Sequence, residues 1–407
     1  MLELLDKQTY DAFVEKHPYG HYRKMSYWAK YLEPQKYQAV YLGLKENGEL
    51  QGTAMVLRKN ILFGHYDYVL WGPCVDYTNQ TSAELFLKEL IAFSKGHKAV
   101  FLRIDPNVIR VSRNIDGSQK EGLDQEYITD YLKELGFAHR GYGYGYDGSW
   151  TNRFTLMQDL SIPMPQIISQ FAKSKQNVLK RHDQIGVSSK EGSRDDLDYL
   201  VDFGIQLSKI QKFEPHDRKY FEYLLDCLKE HGHLYITEIE VPVMIAHIEE
   251  EIESGKYKKD PEALKAKERD LALAKNWQKL GDRLVIAAGI FIVNGDKSWN
   301  LFTYNHKDFN SLKPTDNLHR YAMSKMKELG VKDYDFVGFS GRTDKDDRYY
   351  GLYEYKKSFG SEFIEYIGEF TMVFGKSRYQ LFLFGEKLKK AIGWRWRKLK
   401  RRLRGER

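Results

Sequence analysis

Strand and helix signals along this chain run through one cycle and then begin again, and that restart limits the possible folds more than any other feature. Short apolar runs mark strands at YQAVYLGLK, ELQGTAMVLRK, YDYVLWG and AVFLRID. Between and after them, SAELFLKELIAFSKG has helical spacing and ends on glycine as a C-terminal cap does, and DQEYITDYLKELGF repeats the design. After NRFTLMQDL the order is three helices (PQIISQFAKSKQNVLKRHDQ, DDLDYLVDFGIQLSKI, RKYFEYLLDCLKEHG), three strands (HLYITEIEV, LVIAAGIFIV, SWNLFTYN), a helix (NLHRYAMSKMKELG) and a strand (DYDFVG). The pattern predicts two tandem α/β (α+β) domains, residues 1–155 and 156–380, in a chain whose 407 residues exceed one ordinary core. Hydrophobic residues at 42% and aromatics at 14% supply the apolar surface that two cores need, which excludes a disordered chain.

Residues 242–281 interrupt the second half with a different texture. Ile245, Ile248 and Ile252 share one helical face, Gly255 to Lys259 reads as a polar turn, and Asp260 before Pro261 is a strong helix start. Leu264, Leu271 and Ala274 give the returning helix a narrow apolar stripe. The expectation is an inserted antiparallel helical hairpin, a coiled-coil arm projecting from the second domain, with a plain helix pair packed on the body as its alternative.

Charge is placed unevenly. Lys387 to Arg407 holds eleven Lys and Arg against one Glu, a local +10, so with a total of +7 the rest of the chain is at −3. A mildly acidic body with a basic tail suits a polyanionic partner. Within that tail, residues 381–407, Leu388, Ile392, Trp394, Trp396, Leu399 and Leu403 alternate with cations, as in an interfacial helix on anionic lipid; a purely electrostatic tRNA-binding tail remains the alternative. The first residues carry acidic groups and no basic segment ahead of an apolar run, and the longest uncharged apolar run, Leu284 to Val293, has ten residues, half a membrane span. A cytoplasmic protein at the inner face of the membrane is expected. Cys74 and Cys227 are far apart and lack metal-ligand spacing, and no nucleophile elbow, zinc motif or Walker loop occurs.

Four strings in order resemble the FemABX family of peptidoglycan-bridge aminoacyltransferases. They are MSYWAK (Met25–Lys30); WGPCVDY (Trp71–Tyr77) with FLRIDP (Phe101–Pro106) after it; SKQNVLKR (Ser174–Arg181); and LYEYKKSFGSEFIEYIGEF (Leu352–Phe370), the most specific. The resemblance implies two GNAT-like acyltransferase domains and the transfer of Ala, Ser or Gly from aminoacyl-tRNA to the stem peptide of lipid II. It implies no cofactor beyond the aminoacyl-tRNA co-substrate. Its partners are then aminoacyl-tRNA, lipid II and an anionic membrane surface.

Attack of an amine on an aminoacyl ester needs a deprotonated amine, a stabilised oxyanion and a positioned leaving hydroxyl, with no covalent nucleophile. Lys356 matches the family's lysine, with Tyr355 where the family has Phe, and Asp105 stands at a strand end facing a cleft; these are the expected catalytic residues. For the precursor's pyrophosphate the resemblance points to Lys30 and to Arg218 with Tyr220, with His216 as a further candidate and Trp71 as a substrate contact. Lys175, Lys180 and Arg181 form a basic cluster expected to track tRNA, or else a salt-bridged helix face. Arg140, Gly143 and Gly145 fit the pyrophosphate motif of acetyl-CoA-dependent acyltransferases, but that motif must open a helix and here precedes a loop and strand. An acetyl-CoA-dependent N-acyltransferase and a non-catalytic membrane-peripheral binding protein remain the alternatives.

Overall fold

The structure, a computed structural model, describes residues 1–146 and 148–403, the side chains of 390–403 excepted. Two compact units emerge, each built on a seven-stranded mixed sheet. The first comprises Met1–Ser112, Lys120–Arg153 and Glu365–Arg407, the second Arg113–Gln119 and Phe154–Ile364.

In the first unit the long strands Tyr37–Glu46 and Glu49–Ile61 pair antiparallel, followed by Gly64–Val69. Gly64–Val69 then runs parallel to Phe101–Ile104, and the helix Gln80–Gly96 makes the crossover that a parallel pair requires. Phe370–Val373 pairs antiparallel with Phe101–Ile104 and with Ala138–His139. The first sheet therefore takes a strand from far beyond residue 155, which local apolar patterning does not reveal. Phe86, Leu87 and Leu90 from the crossover helix pack with Val56, Leu102, Ile104 and Phe370 to form the core.

The second unit repeats the design. Val187–Glu191, Gly232–Glu240, Arg283–Asn294 and Lys297–Asn305 form an antiparallel run, and Lys297–Asn305 then pairs in parallel with Asp333–Asp335 across the helix Pro314–Glu328. The sheet is completed by Phe154–Asp159 and Glu362–Glu365. Leu318, Ala322 and Met326 of the crossover helix pack on Ala287, Phe291 and Tyr334.

The segment expected as one helix over 165–184 is two, Met164–Gln170 and Lys173–Gln184. Phe171 takes extended backbone at the break, buries its ring, and lets the Ala172 amide donate to Ser358. Buried packing overrides helical propensity there.

The segment expected over residues 242–281 is two helices, Val241–Glu253, which starts one residue earlier, and Pro261–Gln278, capped by Asp260 at its N-terminus. Lys267 reaches Glu251 at 2.5 Å and Lys275 reaches Glu249 at 2.7 Å. Ile245, Ile248, Ala274 and Trp277 pack into a core cluster with Ile185, Val187 and Phe309, so that end of the pair is docked on the body. The C-terminal segment is a helix from Lys376 to Leu403, and Tyr379 and Phe382 lay their rings on Phe101. Of the expected lipid-facing stripe, Leu388 is exposed, while the side chains of Ile392, Trp394, Trp396, Leu399 and Leu403 lie outside those described. No helix among the described residues is long and apolar enough to cross a membrane.

Candidate active site

Each unit carries a buried polar cluster around residues expected to be catalytic. In the first it is centred on Asp105, just past the strand Phe101–Ile104 and only 2% exposed. Its carboxylate accepts from the Trp71 amide, the Tyr68 hydroxyl and the Thr151 hydroxyl, each at 2.6 Å. Burial raises its pKa to about 7, against the three hydrogen bonds, with Glu369 adding to the rise.

The bond to the Trp71 amide has a structural consequence. Trp71 sits at φ +61°, where a side chain costs about 1–2 kcal/mol, and Gly72 follows at +71°. A Cβ on Gly72 would lie 2.8 Å from Pro106 Cα, so the Trp-Gly-Pro turn admits only glycine there. The turn stacks the Trp71 indole on His21 at 4.5 Å and sets Tyr366 edge-on at 5.1 Å. Arg23, half-buried, donates to the Tyr22 hydroxyl and interacts electrostatically with Asp105; composition around it gave no sign of this cation. Lys30, from the same stretch, is exposed on the short helix Ser26–Leu32.

These contacts fix a stability prediction. A carboxyl whose folded pKa is raised from 3.8 to about 7 contributes stability that is fully present below about pH 4 and is lost as pH rises to about 7. Asp105→Asn should flatten that part of the melting-temperature profile relative to wild type. An unchanged difference between the two across pH 4–7 would contradict the assignment.

In the second unit a cavity of about 340 Å³ opens at the N-terminus of the helix Pro314–Glu328. Its lining includes Lys175, Asn305, Asn310, Lys313, Asp316 and Tyr355. Lys175 is not on a solvent-facing helix surface. It is 5% exposed, its Nζ 2.6 Å from Asp316 and over the Tyr355 and Phe359 rings at 4.5 and 3.8 Å. Burial lowers its pKa, opposed by Asp316. The position was legible after all: Lys175 lies four residues before Leu179 and seven before His182, both buried on the same face.

Lys356, adjacent in sequence to Tyr355, is 7% exposed on the helix Tyr350–Lys357. Its Nζ donates to the carbonyls of Val337 at 2.5 Å and Gly338 at 3.1 Å, two of the three bonds an ammonium can make. Val337 stands at φ +61°, and its amide is held by Asp335. Burial lowers the Lys356 pKa to about 8, with Asp335 acting against the drop. Between the two lysines electrostatically is His319, fully buried, bonded to the Tyr334 hydroxyl at 2.6 Å and held well below the usual imidazole range by burial and then by both cations.

The remaining expected residues are placed elsewhere in this unit. Arg218 opens the helix Arg218–Leu228 and is gripped by Asp198 and Glu222, each at 2.8 Å. His216 stacks on Tyr220 at 3.7 Å and meets Phe302 edge-on, and its burial lowers its pKa, which favours the neutral ring. Arg181 contacts Asp270 at 3.5 Å, while Lys180 is exposed. The acetyl-CoA motif has no helix behind it: among the described residues 141–153 is irregular and Phe154–Asp159 is a strand. The helix N-terminus beside a cavity lies instead at Lys313–Asp316.

The chain is 24% identical to the lipid II:glycine glycyltransferase of Staphylococcus aureus (strain USA300), over 93% of this chain and 94% of that protein. It is 25% identical to that of Staphylococcus haemolyticus (strain JCSC1435), over 99% of both. Such relatives are named as glycyltransferases, which are aminoacyltransferases. The crystal structure of FemX superimposes with a TM-score of 0.78 at 23% identity, covering 94% of this chain and 99% of FemX, which shows a common mixed α/β fold. Residues 5–387 match the model of the FemAB family, and the chain belongs to that family.

Proposed function

We propose that this protein transfers glycine, or another small amino acid such as alanine or serine, from aminoacyl-tRNA to the stem peptide of lipid II in peptidoglycan bridge formation. The observation that carries the reading is the cavity at Lys313–Asp316, which brings Lys175 and Tyr355 together; Lys356 follows Tyr355 in sequence and is not itself in the cavity wall. A cavity of that size, with lysines and a helix N-terminus at its wall, suits the phosphate and sugar of a tRNA 3′ end. The family relatives named as lipid II:glycine glycyltransferases supply the acceptor.

In the step itself the amine nitrogen of the acceptor attacks the ester carbonyl and forms the C–N bond. The C–O bond to the ribose then breaks, and the amine's proton passes to the departing hydroxyl. Lys356 offers its third N–H to the developing oxyanion or the terminal phosphate, and Tyr355 packs against the aminoacyl-adenosine. In the first unit Asp105, the expected proton acceptor, holds the Trp71 turn, itself a candidate for contact with the acceptor. For the precursor's pyrophosphate the candidates are Arg218, His216 and Tyr220 in the second unit and, as a separate candidate set, Lys30 and Arg23 in the first. Lys180, Arg181 and the helix pair Val241–Gln278, read as an arm, face the tRNA body. The GNAT-like reading of both units fits the helix that crosses over between parallel strands in each.

Lipid II incubated with tRNA charged with glycine, alanine or serine in turn should gain one residue on its stem peptide. No extension with any small amino acid sinks the proposal. A second check uses pH. With a pKa of about 8, Lys356 is roughly nine-tenths ammonium at pH 7 and one-tenth at pH 9. Binding of a non-hydrolysable amide analogue of aminoacyl-tRNA should weaken by up to about tenfold over that interval, with a flat profile in Lys356→Arg. An equally steep profile in that variant would remove Lys356 from the contact.

A further inference from the structure

The first unit carries an apolar feature that neither its core nor the transfer chemistry uses. The strands Glu49–Ile61 and Gly64–Val69 are joined by a two-residue turn made of Leu62 and Phe63. Such turns ordinarily hold Asn-Gly or Asp-Gly, which tolerate the left-handed backbone of the usual tight hairpin turn, whereas Leu62 and Phe63 stand outside that region. Both are large hydrophobes, 87% and 53% exposed.

A second exposed apolar row lies beside it on the C-terminal helix. Leu381, Phe384 and Leu388, spaced by three and four residues, share one helical face and are 52%, 65% and 50% exposed. The opposite face is occupied, since Tyr379 and Phe382 pack on Phe101 and Phe382 also meets Tyr66. The two features adjoin, because the Arg378 guanidinium lies against Gly64, the residue after Phe63, and Leu381 follows Arg378 by one helical turn. From Lys376 to Lys389 the helix carries Lys376, Arg378, Lys387 and Lys389 against Glu386 alone, and the sequence to its end adds nine more Lys and Arg.

We infer that the Leu62–Phe63 hairpin tip and the Leu381–Phe384–Leu388 face together form a membrane-docking surface for a bilayer rich in anionic lipid. Apolar side chains ringed by cations match a layer whose headgroups are negative and whose interior is hydrocarbon. A protruding tip has no recess to receive a partner's side chain, whereas it can enter a lipid surface. The basic tail supplies long-range attraction, and the tip and helix face set which side of the unit meets the bilayer. This goes beyond the transfer reading and stands or falls apart from it, because the vesicles used to test it contain no lipid II.

The test uses the full chain with an environment-sensitive fluorophore on a cysteine introduced by Phe63→Cys, by Phe384→Cys or, as control, by Asn47→Cys on the opposite hairpin turn. Cys74 and Cys227 are buried and leave the introduced thiol as the reactive one. With phosphatidylglycerol-rich vesicles, labels at 63 and 384 should shift to the blue and be quenched by lipids bearing a quencher in the acyl chain, and the label at 47 should not. Leu62→Ser with Phe63→Ser, both exposed and so without cost to the fold, should lower vesicle partitioning by about tenfold or more. Pure phosphatidylcholine vesicles should bind weakly. Vesicle-bound protein whose label at 63 stays in water would overturn the proposal, leaving the tail as the sole anchor. Concentration-dependent dimers abolished by the same serine substitutions would also overturn it, in favour of a second copy of the chain.

Discussion

Lys356→Met is expected to lower turnover by on the order of 10²–10³-fold while leaving a folded protein. The loss is large because the ammonium is a fixed charge: burial excludes water, and the Val337 and Gly338 carbonyls hold Nζ in place before substrate arrives. A donor already oriented needs no reorganisation when charge develops on the ester oxygen. Methionine leaves those two carbonyls without their partner, which costs about 1–3 kcal/mol, offset in part because a charge is no longer buried. Circular dichroism and a melting curve should therefore show a native fold with a modestly lower midpoint. Kinetics then separate two roles. A fall in kcat at unchanged KM for aminoacyl-tRNA assigns Lys356 to the oxyanion, and a rise in KM at unchanged kcat assigns it to the terminal phosphate. Wild-type values for both remove it from the mechanism.

The largest stability effect is expected from Asp316→Ala. Lys175 and Asp316 are 5% and 3% exposed and face each other at 2.6 Å among the rings of Tyr355 and Phe359. Removing the carboxylate strands a buried ammonium, and broken buried pairs of this kind cost about 3–5 kcal/mol. Urea unfolding should show that loss. The double variant Lys175→Met with Asp316→Ala should recover most of it, since no charge is then left unpaired. If the cavity holds the tRNA 3′ end, the double variant should nevertheless bind aminoacyl-tRNA poorly. Near wild-type binding in a stable double variant would move the tRNA site elsewhere, and a double variant no more stable than the single one would show that the pair is not the source of the loss.

The residues differ in how far the sequence revealed them, for physical reasons. Strands such as Tyr37–Glu46 and Arg283–Asn294 follow from local apolar patterning, because a half-buried or central strand must present such a surface wherever it pairs. Asp105 stood out as a carboxylate at a strand end, but its three donors come from Tyr68, Trp71 and Thr151, up to 46 residues away, and no local string encodes that convergence. Arg218 is expected from the resemblance as a cation for pyrophosphate, and no local string shows that Asp198, twenty residues before it, pairs with it in the fold. Lys175 looked like part of a basic surface and is instead the buried half of a pair whose other half is 141 residues on.

By itself, then, the sequence determined the repeated α/β plan, the helices at Val241–Glu253 and Pro261–Gln278, the uneven charge, and the four strings that resemble the FemABX family. Each of these is set by side chains close together along the chain, where periodicity, caps and spacing act. Only the tertiary structure decided that Phe370–Val373 completes the first sheet, that Lys175 joins Tyr355 in one cavity, and that Leu62 and Phe63 stand exposed beside the C-terminal helix. Those outcomes depend on which distant surfaces exclude water from one another, and burial of that kind is a property of the packed molecule rather than of any segment of it.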